Sequence, residues 1–193
     1  MVTLNKIYTR TGDEGTTGLA TGERLAKTSP RITAIGEVDE LNAVIGVAIG
    51  EITDERVQGT LLAIQNDLFD LGADLATPAD LQGALRLSSK GPDWLEKAID
   101  ELNADLPPLK SFILPSGPRK AAYLHMARAV ARRAERAVWT LRETVEEPGP
   151  GFNPVITAYL NRLSDYLFVA ARHVARAGGG EVTWVPGAGA ENE

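Results

Sequence analysis

The sequence predicts an all-α fold, a single domain in which five helices form a bundle behind a glycine- and threonine-rich N-terminal loop. Apolar residues recur at helical spacing in five segments, capping residues and prolines mark where those segments begin and end, and no alternating strand pattern competes with them. The 193 residues, 44% of them hydrophobic, suffice for one substantial core. We therefore expect a loop over 1–28, the bundle over 29–178 and a C-terminal tail over 179–193.

The first two predicted helices are long antiparallel neighbours. A Ser29 cap opens the first, over about 29–52, and Thr77-Pro78 closes the second, over about 54–76. Their apolar stripes comprise Val38, Leu41, Ile45, Ala48 and Ile52 in the first, and Leu61, Ile64, Leu68, Leu71 and Leu75 in the second.

Three further helices are predicted. The third is short, over about 92–106, because a pair of prolines stops it. The fourth spans about 118–146, and the fifth spans about 153–177 with Asn153 as its cap. A short extended piece is expected at 181–185.

The composition excludes several kinds of chemistry. Without cysteine there are no disulfides, thiolate nucleophiles or cysteine-bound metals. A formal charge of -6 argues against sequence-independent nucleic-acid binding. No Glu-x-x-His pair indicates a di-iron site, and no Gly-x-Ser-x-Gly elbow indicates acyl transfer. The most apolar stretch, AVIGVAIG, is too short to span a bilayer, and no signal peptide is recognisable, so we expect a soluble, cytoplasmic protein.

The fourth helix carries a cluster of arginines in HMARAVARRAER. Arg128, Arg132 and Glu135 fall at i, i+4 and i+7 on one face, and Arg133 and Arg136 add cations within about one turn. Guanidinium groups bind phosphate in a bidentate manner, so the cluster suits a polyanionic ligand. A solvated basic face is the more common origin of such a pattern, and the residues alone leave both interpretations open.

The N-terminal loop contains YTRTGDEGTTGLATGERLAK, which has almost no apolar side chains for a core. Its backbone N–H groups and hydroxyls are typical of a cradle for phosphate oxygens, and Lys27 adds a point charge, although the Walker A spacing is absent. A disordered terminus and a surface lysine explain the same residues. We expect the loop to be disordered until a ligand orders it.

Two more stretches place aromatic or polar residues among apolar neighbours. In SFILPSG, Phe112 either plugs the core beneath a helix or lies against a large flat ligand, and the residues alone favour the plug. In the fifth helix, Asn161 and Asp165 form a helix–helix hydrogen bond or contact a base or ribose. The two histidines, His125 and His173, are expected to be structural.

Six stretches, in order along the chain, resemble the motif series of the PduO-type ATP:cob(I)alamin adenosyltransferases: TRTGDEGTTGL, TGERLAK, VDELNAVIG, FILPSG, HMARAVARRAER and LNRLSDYLFVAAR. The resemblance implies an enzyme that transfers the 5′-deoxyadenosyl group of ATP to the cobalt of cob(I)alamin, giving adenosylcobalamin and triphosphate. It implies Mg²⁺ on the ATP phosphates without a protein ligand. It also implies a homotrimer of five-helix bundles with sites between subunits, a cob(II)alamin reductase as electron source and an adenosylcobalamin-dependent enzyme as recipient.

By position, the resemblance implies three sets of residues. The implied catalytic residues are Arg132, Glu135 and Phe112. The implied cobalamin-binding residues are Phe112, which displaces the dimethylbenzimidazole from the lower face of the corrin, and the pair Arg128 and Asp39, which matches an intersubunit salt bridge. The implied ATP-binding residues are Thr9, Arg10, Thr11, Gly12, Gly15, Thr17, Gly18, Lys27, Arg132, Arg133, Glu135, Arg136 and Asn161. Two alternatives stay open: a carrier of adenosylcobalamin without catalysis, and a nucleotide-sensing bundle that binds no corrin.

Overall fold

The computed structural model describes residues 7–78, 80–144 and 153–189. Two short strands, β1 at Thr16–Gly18 and β2 at Arg24–Ala26, precede helices α1 at Pro30–Ile49, α2 at Glu55–Leu75, α3 at Gly91–Asn103, α4 at Arg119–Thr144 and α5 at Val155–Arg176. The five predicted helices are confirmed.

Side-chain caps fix where α1, α2 and α5 begin. The Ser29 hydroxyl accepts a hydrogen bond from a backbone N–H of α1 at 3.4 Å. The Asp54 carboxylate accepts from two backbone N–H groups of α2 at 3.0 and 3.1 Å. The Asn153 amide oxygen accepts from the first N–H of α5 at 3.1 Å. Each cap satisfies backbone donors that the first turn of a helix leaves free.

Helix α4 lies at the centre of the bundle. It packs against α1 and against α5, while α3 covers α5 and α2 covers α1. Ala127, Ala131 and Ala134 of α4 are fully buried, and their small side chains let the neighbouring helices approach closely. Tyr159 and Tyr166 of α5 fill the remaining interior.

The fold departs from a purely α-helical one in the N-terminal segment. Strands β1 and β2 pair antiparallel, with Thr16 opposite Ala26 and Gly18 opposite Arg24. With three residues each, the strands are too short to show the alternation that marks a strand in a sequence. The prediction of an all-α fold is therefore correct for the bundle and wrong for this hairpin.

Some helix ends differ from the predicted ones by a few residues. Helix α1 ends at Ile49 rather than at 52, and α3 ends at Asn103 rather than at 106. In both places the following residues form i→i−3 hydrogen bonds, so the chain tightens into turns instead of continuing the helix. The predicted last turn of α4, at 145–146, lies outside the described residues.

The chain beyond α5 returns along the loop between α3 and α4. Ile113 and Thr183 form an antiparallel bridge, which confirms the extended piece predicted at 181–185. Within the three described ranges, no helix combines the length and the apolar character needed to cross a membrane.

Candidate functional site

Arg24 organises the N-terminal hairpin. Its guanidinium donates to the backbone oxygen of Thr11 at 2.6 Å and to the hydroxyl of Thr16 at 2.8 Å, so it ties the preceding loop to β1. The N–H of Lys27 donates to the oxygen of Gly15 at 2.8 Å and closes the hairpin. Arg24 is not among the site residues predicted from the sequence, because a single arginine in TGERLAK carries no periodic signal.

The hairpin brings a lysine next to a glycine turn. A β-carbon on Gly12 would lie 3.3 Å from the Lys27 ammonium and 3.2 Å from the oxygen of Thr16, so the missing side chain makes room for the cation. The space beside Gly12 thus holds a positive charge next to a polar turn, an arrangement that suits a phosphate.

The other predicted loop residues surround this turn in the chain. Arg10 has a φ of 62°, in the left-handed region that few non-glycine residues adopt. The Thr9 and Thr11 hydroxyls lie 2.9 Å apart. Thr17 and Gly18 belong to β1. Hydroxyls and cations are therefore collected in one largely exposed segment.

Helices α4 and α5 join at a buried carboxylate. Glu135 is 7% exposed, and its two oxygens accept hydrogen bonds from Arg132 at 2.5 Å and from the Asn161 amide at 3.2 Å. Arg132 keeps 41% of its side chain exposed. A buried carboxylate with both oxygens occupied holds the guanidinium in one orientation and leaves its outer edge open to an anion. We call Arg132, Glu135 and Asn161 the α4–α5 cluster.

The Asn161 amide is itself held in place. Its oxygen accepts from Arg162 at 3.0 Å, so its nitrogen faces Glu135. Arg162 in turn donates to Glu96 of α3 at 2.6 Å, and this hydrogen bond raises the pKa of Arg162. Asp165, singled out with Asn161 from the sequence, lies 3.7 Å from Arg162 on the exposed side. Three helices thus orient one amide.

The arginines of α4 face two different neighbouring helices. Arg133 donates to Glu37 of α1 at 2.5 Å and forms a second ion pair with Glu40, and these carboxylates raise its pKa. Arg136 is exposed and donates to the backbone oxygen of Arg132 at 3.1 Å. Arg132 therefore belongs to the α5 side and Arg133 to the α1 side. The role of Arg133 in ATP binding stays a prediction.

Phe112 lies on the surface with 77% exposure, so the interpretation of this residue as a core plug is wrong. Its ring meets that of Trp184 edge-on, with the ring centroids 6.2 Å apart. Both rings line a cavity of about 620 Å³, a size that suits a small-molecule ligand. Trp184 is not among the site residues predicted from the sequence. The signal that could have indicated it is its place in the extended piece predicted at 181–185.

Arg128 and Asp39 lie on two different helices, α4 and α1. Asp39 is exposed on α1 and lines a groove between α1 and α2. The buried Nε atom of Arg128 has no hydrogen-bond partner among the described residues. A salt bridge between subunits involves a second chain, so this pairing stays a prediction.

The two histidines have protein neighbours. His125 is 5% exposed and edge-on to Phe168, and burial together with the charge of Arg128 lowers its pKa. His173 Nε2 lies 3.0 Å from the Asp54 carboxylate that caps α2. Both contacts are of the structural kind expected from the sequence.

Known proteins are similar to this chain in sequence and in fold. A profile of the cobalamin adenosyltransferase family matches residues 7–174. The corrinoid adenosyltransferase of Mycobacterium tuberculosis is 47% identical over 190 residues, which cover 96% of each chain. A phenylalanine-to-histidine variant of a PduO-type ATP:corrinoid adenosyltransferase from Lactobacillus reuteri, solved with cobalamin and ATP, superposes with a TM-score of 0.85 at 37% identity, over 94% of this chain and 97% of that one. An arginine-to-lysine variant from the same organism, solved with ATP, gives 0.83 at 38% identity, over 93% and 100%.

The bundle, the polar hairpin and these similarities together define an ATP-dependent transferase that acts on a corrinoid. The chain belongs to the cobalamin adenosyltransferase family and is of the PduO type. Its activity is the transfer of the 5′-deoxyadenosyl group of ATP to the cobalt of cob(I)alamin, which gives adenosylcobalamin and triphosphate. The expectation of a catalyst rather than a carrier is thereby confirmed.

Proposed function

We propose that this transfer takes place at a site built from the N-terminal hairpin, the α4–α5 cluster and the loop at 104–118, called the Phe112 loop. The observation that carries the proposal is Glu135, a 7% exposed carboxylate whose two oxygens fix Arg132 and Asn161. A merely solvated helix face does not need a buried acid to orient one of its arginines. The Lactobacillus reuteri structures contain ATP and cobalamin, which supports the binding of both by this fold.

The chemistry is a displacement at carbon. The cobalt attacks C5′ of ATP, a cobalt–carbon bond forms, and the C5′–oxygen bond breaks with its electron pair leaving on triphosphate. Because the metal of the substrate is the nucleophile, no side chain has to act as a base or as a nucleophile. The tasks of the protein are to position the reactants and to stabilise the charge that grows on the triphosphate.

The cations of the site suit that charge. Arg132, fixed by Glu135, and Lys27, held beside Gly12, bind phosphate oxygens, and the hairpin hydroxyls and N–H groups donate to others. Mg²⁺ on the phosphates supplies further neutralisation. In line with what the family resemblance implies, we assign this ion to phosphate oxygens rather than to protein ligands.

Phe112 prepares the cobalt for attack. An apolar ring below the corrin excludes the dimethylbenzimidazole and water from the lower axial position, which removes electron donation to the cobalt and makes reduction from cob(II) to cob(I) easier. The 77% exposure of the ring and the cavity beside it support this position.

The working unit in this proposal is a homotrimer with active sites between subunits. An apolar groove of about 470 Å³ between α1 and α2, bordered by Phe69 with 71% exposure, supports a subunit contact. The buried Nε atom of Arg128, which lacks a partner among the described residues, supports a pairing with Asp39 of a neighbouring subunit. A cob(II)alamin reductase supplies the electron, and an adenosylcobalamin-dependent enzyme takes the product.

The test is the visible spectrum of cob(II)alamin reduced anaerobically with the protein, Mg²⁺ and ATP. We expect adenosylcobalamin to grow only when ATP is present. Arg132→Ala should lower the rate by about 100-fold, because losing one donor to a charged transition state costs roughly 3 kcal/mol. Arg119→Ala is the matched control, since Arg119 lies on the same helix in an exposed ion pair with Glu51 and should leave the rate unchanged.

Three other outcomes would each contradict part of the proposal. Corrinoid binding without product would favour the adenosylcobalamin carrier. No spectral change at all would leave only a nucleotide-binding bundle. Equal losses in the Arg132 and Arg119 variants would reduce Arg132 to a structural role.

A further inference from the structure

We propose that Arg172, through Glu181, is a positioning residue for Phe112 and clamps the Phe112 loop to the C-terminal segment at 181–186. The inference rests on the role proposed above for Phe112 at the lower face of the corrin. It assigns to α5 a part in preparing the cobalt, separate from the part that Asn161 of the same helix has beside the nucleotide.

Arg172 links two irregular segments to a rigid helix. It is 4% exposed, donates to the Glu181 carboxylate at 2.5 Å and donates to the backbone oxygen of Pro107 at 2.8 Å. Pro107 lies near the start of the Phe112 loop, and Glu181 begins the C-terminal segment. The planar guanidinium has fixed donor directions, so both segments are held at defined positions relative to α5.

The two segments are also joined directly on either side of Phe112. The Leu114 N–H donates to the oxygen of Val182 at 2.8 Å. The Trp184 N–H donates to the oxygen of Phe112 at 2.8 Å. The Ser111 hydroxyl donates to the oxygen of Trp184 at 2.9 Å. The backbone that carries the exposed ring is thus fixed by the C-terminal segment.

A glycine turn lets the chain return to this position. Gly179 and Gly180 have φ values of 114° and 98°, which other residues rarely adopt. A β-carbon on Gly178 would lie 2.7 Å from the ring of Pro118, at the end of the Phe112 loop. The reversal after α5 therefore packs tightly and delivers Glu181 to Arg172.

The clamp matters because Phe112 has to compete with a coordinating ligand. With 77% of its surface exposed, the ring has few side-chain contacts that hold it, so its position depends on the backbone beneath it. A displacement of about 1 Å at a reacting centre is enough to lower a rate strongly. Without the hydrogen bonds of Arg172, the Phe112 loop would move away from this position, and the benzimidazole would stay coordinated to the cobalt.

The experiment uses Glu181→Gln, which removes the charge beside Arg172 and keeps the size of the side chain. Its readout is the EPR spectrum of cob(II)alamin bound to the full-length protein with ATP and without reductant. A coordinated benzimidazole nitrogen splits the cobalt signal, so loss of the splitting reports displacement. We expect wild-type protein to abolish the splitting and Glu181→Gln to retain it, with kcat reduced about tenfold or more and the KM for ATP unchanged.

Two further variants control for stability. Glu51→Gln makes the same substitution in the exposed ion pair with Arg119 and should behave as wild type. A buried arginine that loses its partner can unfold a protein, whereas replacement of both ions by apolar residues often does not. Arg172→Met combined with Glu181→Leu therefore removes the clamp from a folded bundle, and this double variant should also retain the splitting.

Different results would contradict the proposed clamp and the proposed role of Phe112. If the folded clamp variants abolish the splitting as wild type does while Phe112→Ala retains it, Phe112 acts without the clamp and the inference is wrong. If Phe112→Ala itself abolishes the splitting, the role proposed for Phe112 is wrong. Retention in both kinds of variant, with Glu51→Gln like wild type, is the expected result.

Discussion

The orientation of Arg132 depends on one carboxylate. Both oxygens of Glu135 accept a hydrogen bond, and a glutamine in its place would turn an NH₂ group towards either Arg132 or Asn161. Two donors facing each other in a site that is only 7% exposed cannot both be satisfied. The buried acid therefore matters for nucleotide binding through the geometry that it imposes on its partners.

Glu135→Gln should lower kcat/KM for ATP by about 10- to 100-fold, because a hydrogen bond to a charged group contributes roughly 1.5–3 kcal/mol. Steady-state kinetics with ATP as the varied substrate measure the effect. Glu101→Gln, on an exposed position of α3, is the control and should leave kcat/KM unchanged. A Glu135→Gln enzyme with wild-type kinetics would show that Arg132 keeps its orientation without the carboxylate.

Gly91 shows how one atom decides a packing contact. A β-carbon there would lie 2.8 Å from the Tyr159 ring, whereas a β-carbon on Gly59 of α2 would meet nothing within 4 Å. Gly91→Ala should therefore lower the free energy of unfolding by about 1–3 kcal/mol through overpacking. Gly59→Ala should raise it by about 0.5–1 kcal/mol, as alanine does inside a helix. Urea denaturation measures both changes in the free energy of unfolding. A change of the same sign in the two variants would contradict the close contact between Gly91 and Tyr159.

The start of α2 couples a helix cap to a cross-helix contact. Asp54 caps two backbone N–H groups and lies 3.0 Å from His173 of α5. The hydrogen bond with His173 lowers the pKa of Asp54 below its usual 3.8. A carboxyl with a lowered pKa in the folded state stabilises the fold when ionised, and that stabilisation is lost as the pH falls through the folded-state pKa.

Asp54→Ala should lower the free energy of unfolding at pH 7 by about 1–2 kcal/mol, the usual value of an N-cap. The difference from wild type should shrink below pH 3.8, because protonation weakens the same contacts in the wild-type protein. Urea denaturation at pH 7 and below pH 3.8 measures this difference in the free energy of unfolding. Asp54→Asn keeps the cap and should lose less, and a pH-independent difference would argue against a role for the charge.

The helices were predictable because their signals are local. Ser29 and Asn153 mark their own helices as caps, and the apolar stripe of α2 is buried as its spacing predicts. The hairpin was not predictable, because its strands depend on Arg24 reaching back to Thr11 rather than on a repeated pattern. The same holds for Trp184, which reaches Phe112 only after the chain reverses at a glycine turn.

The site is assembled from distant segments, which is why its residues stayed ambiguous in the sequence. Glu135 and Asn161 are 26 positions apart, and Pro107 and Arg172 are 65 apart. Each stretch has an ordinary explanation by itself, and the resemblance to a family supplied the expected roles. Only the packing of α4 on α5 reveals that one buried acid holds both an arginine and an amide.

The hairpin makes few contacts with the helices of the bundle. Leu19 and Leu25 of the hairpin line, together with Arg31 and Pro78, a cavity of about 180 Å³. Most of the remaining hairpin side chains are exposed. Segments of this kind open at a low free energy, and a ligand that binds only the closed form raises that free energy.

ATP should therefore protect the hairpin from trypsin. Cleavage after Arg10, Arg24 and Lys27 should be fast in the free protein and slower by about tenfold or more at saturating ATP and Mg²⁺. The reason is that a ligand at 100 times its Kd stabilises the closed form by about 2.7 kcal/mol relative to the open form. Gel electrophoresis and mass spectrometry follow the fragments. At the same ATP concentration Arg132→Ala should be protected less and Arg119→Ala fully, because the hairpin and the α4–α5 cluster hold one nucleotide between them. Cleavage at equal rates with and without ATP would separate the hairpin from the nucleotide site and leave the cluster to bind the triphosphate alone.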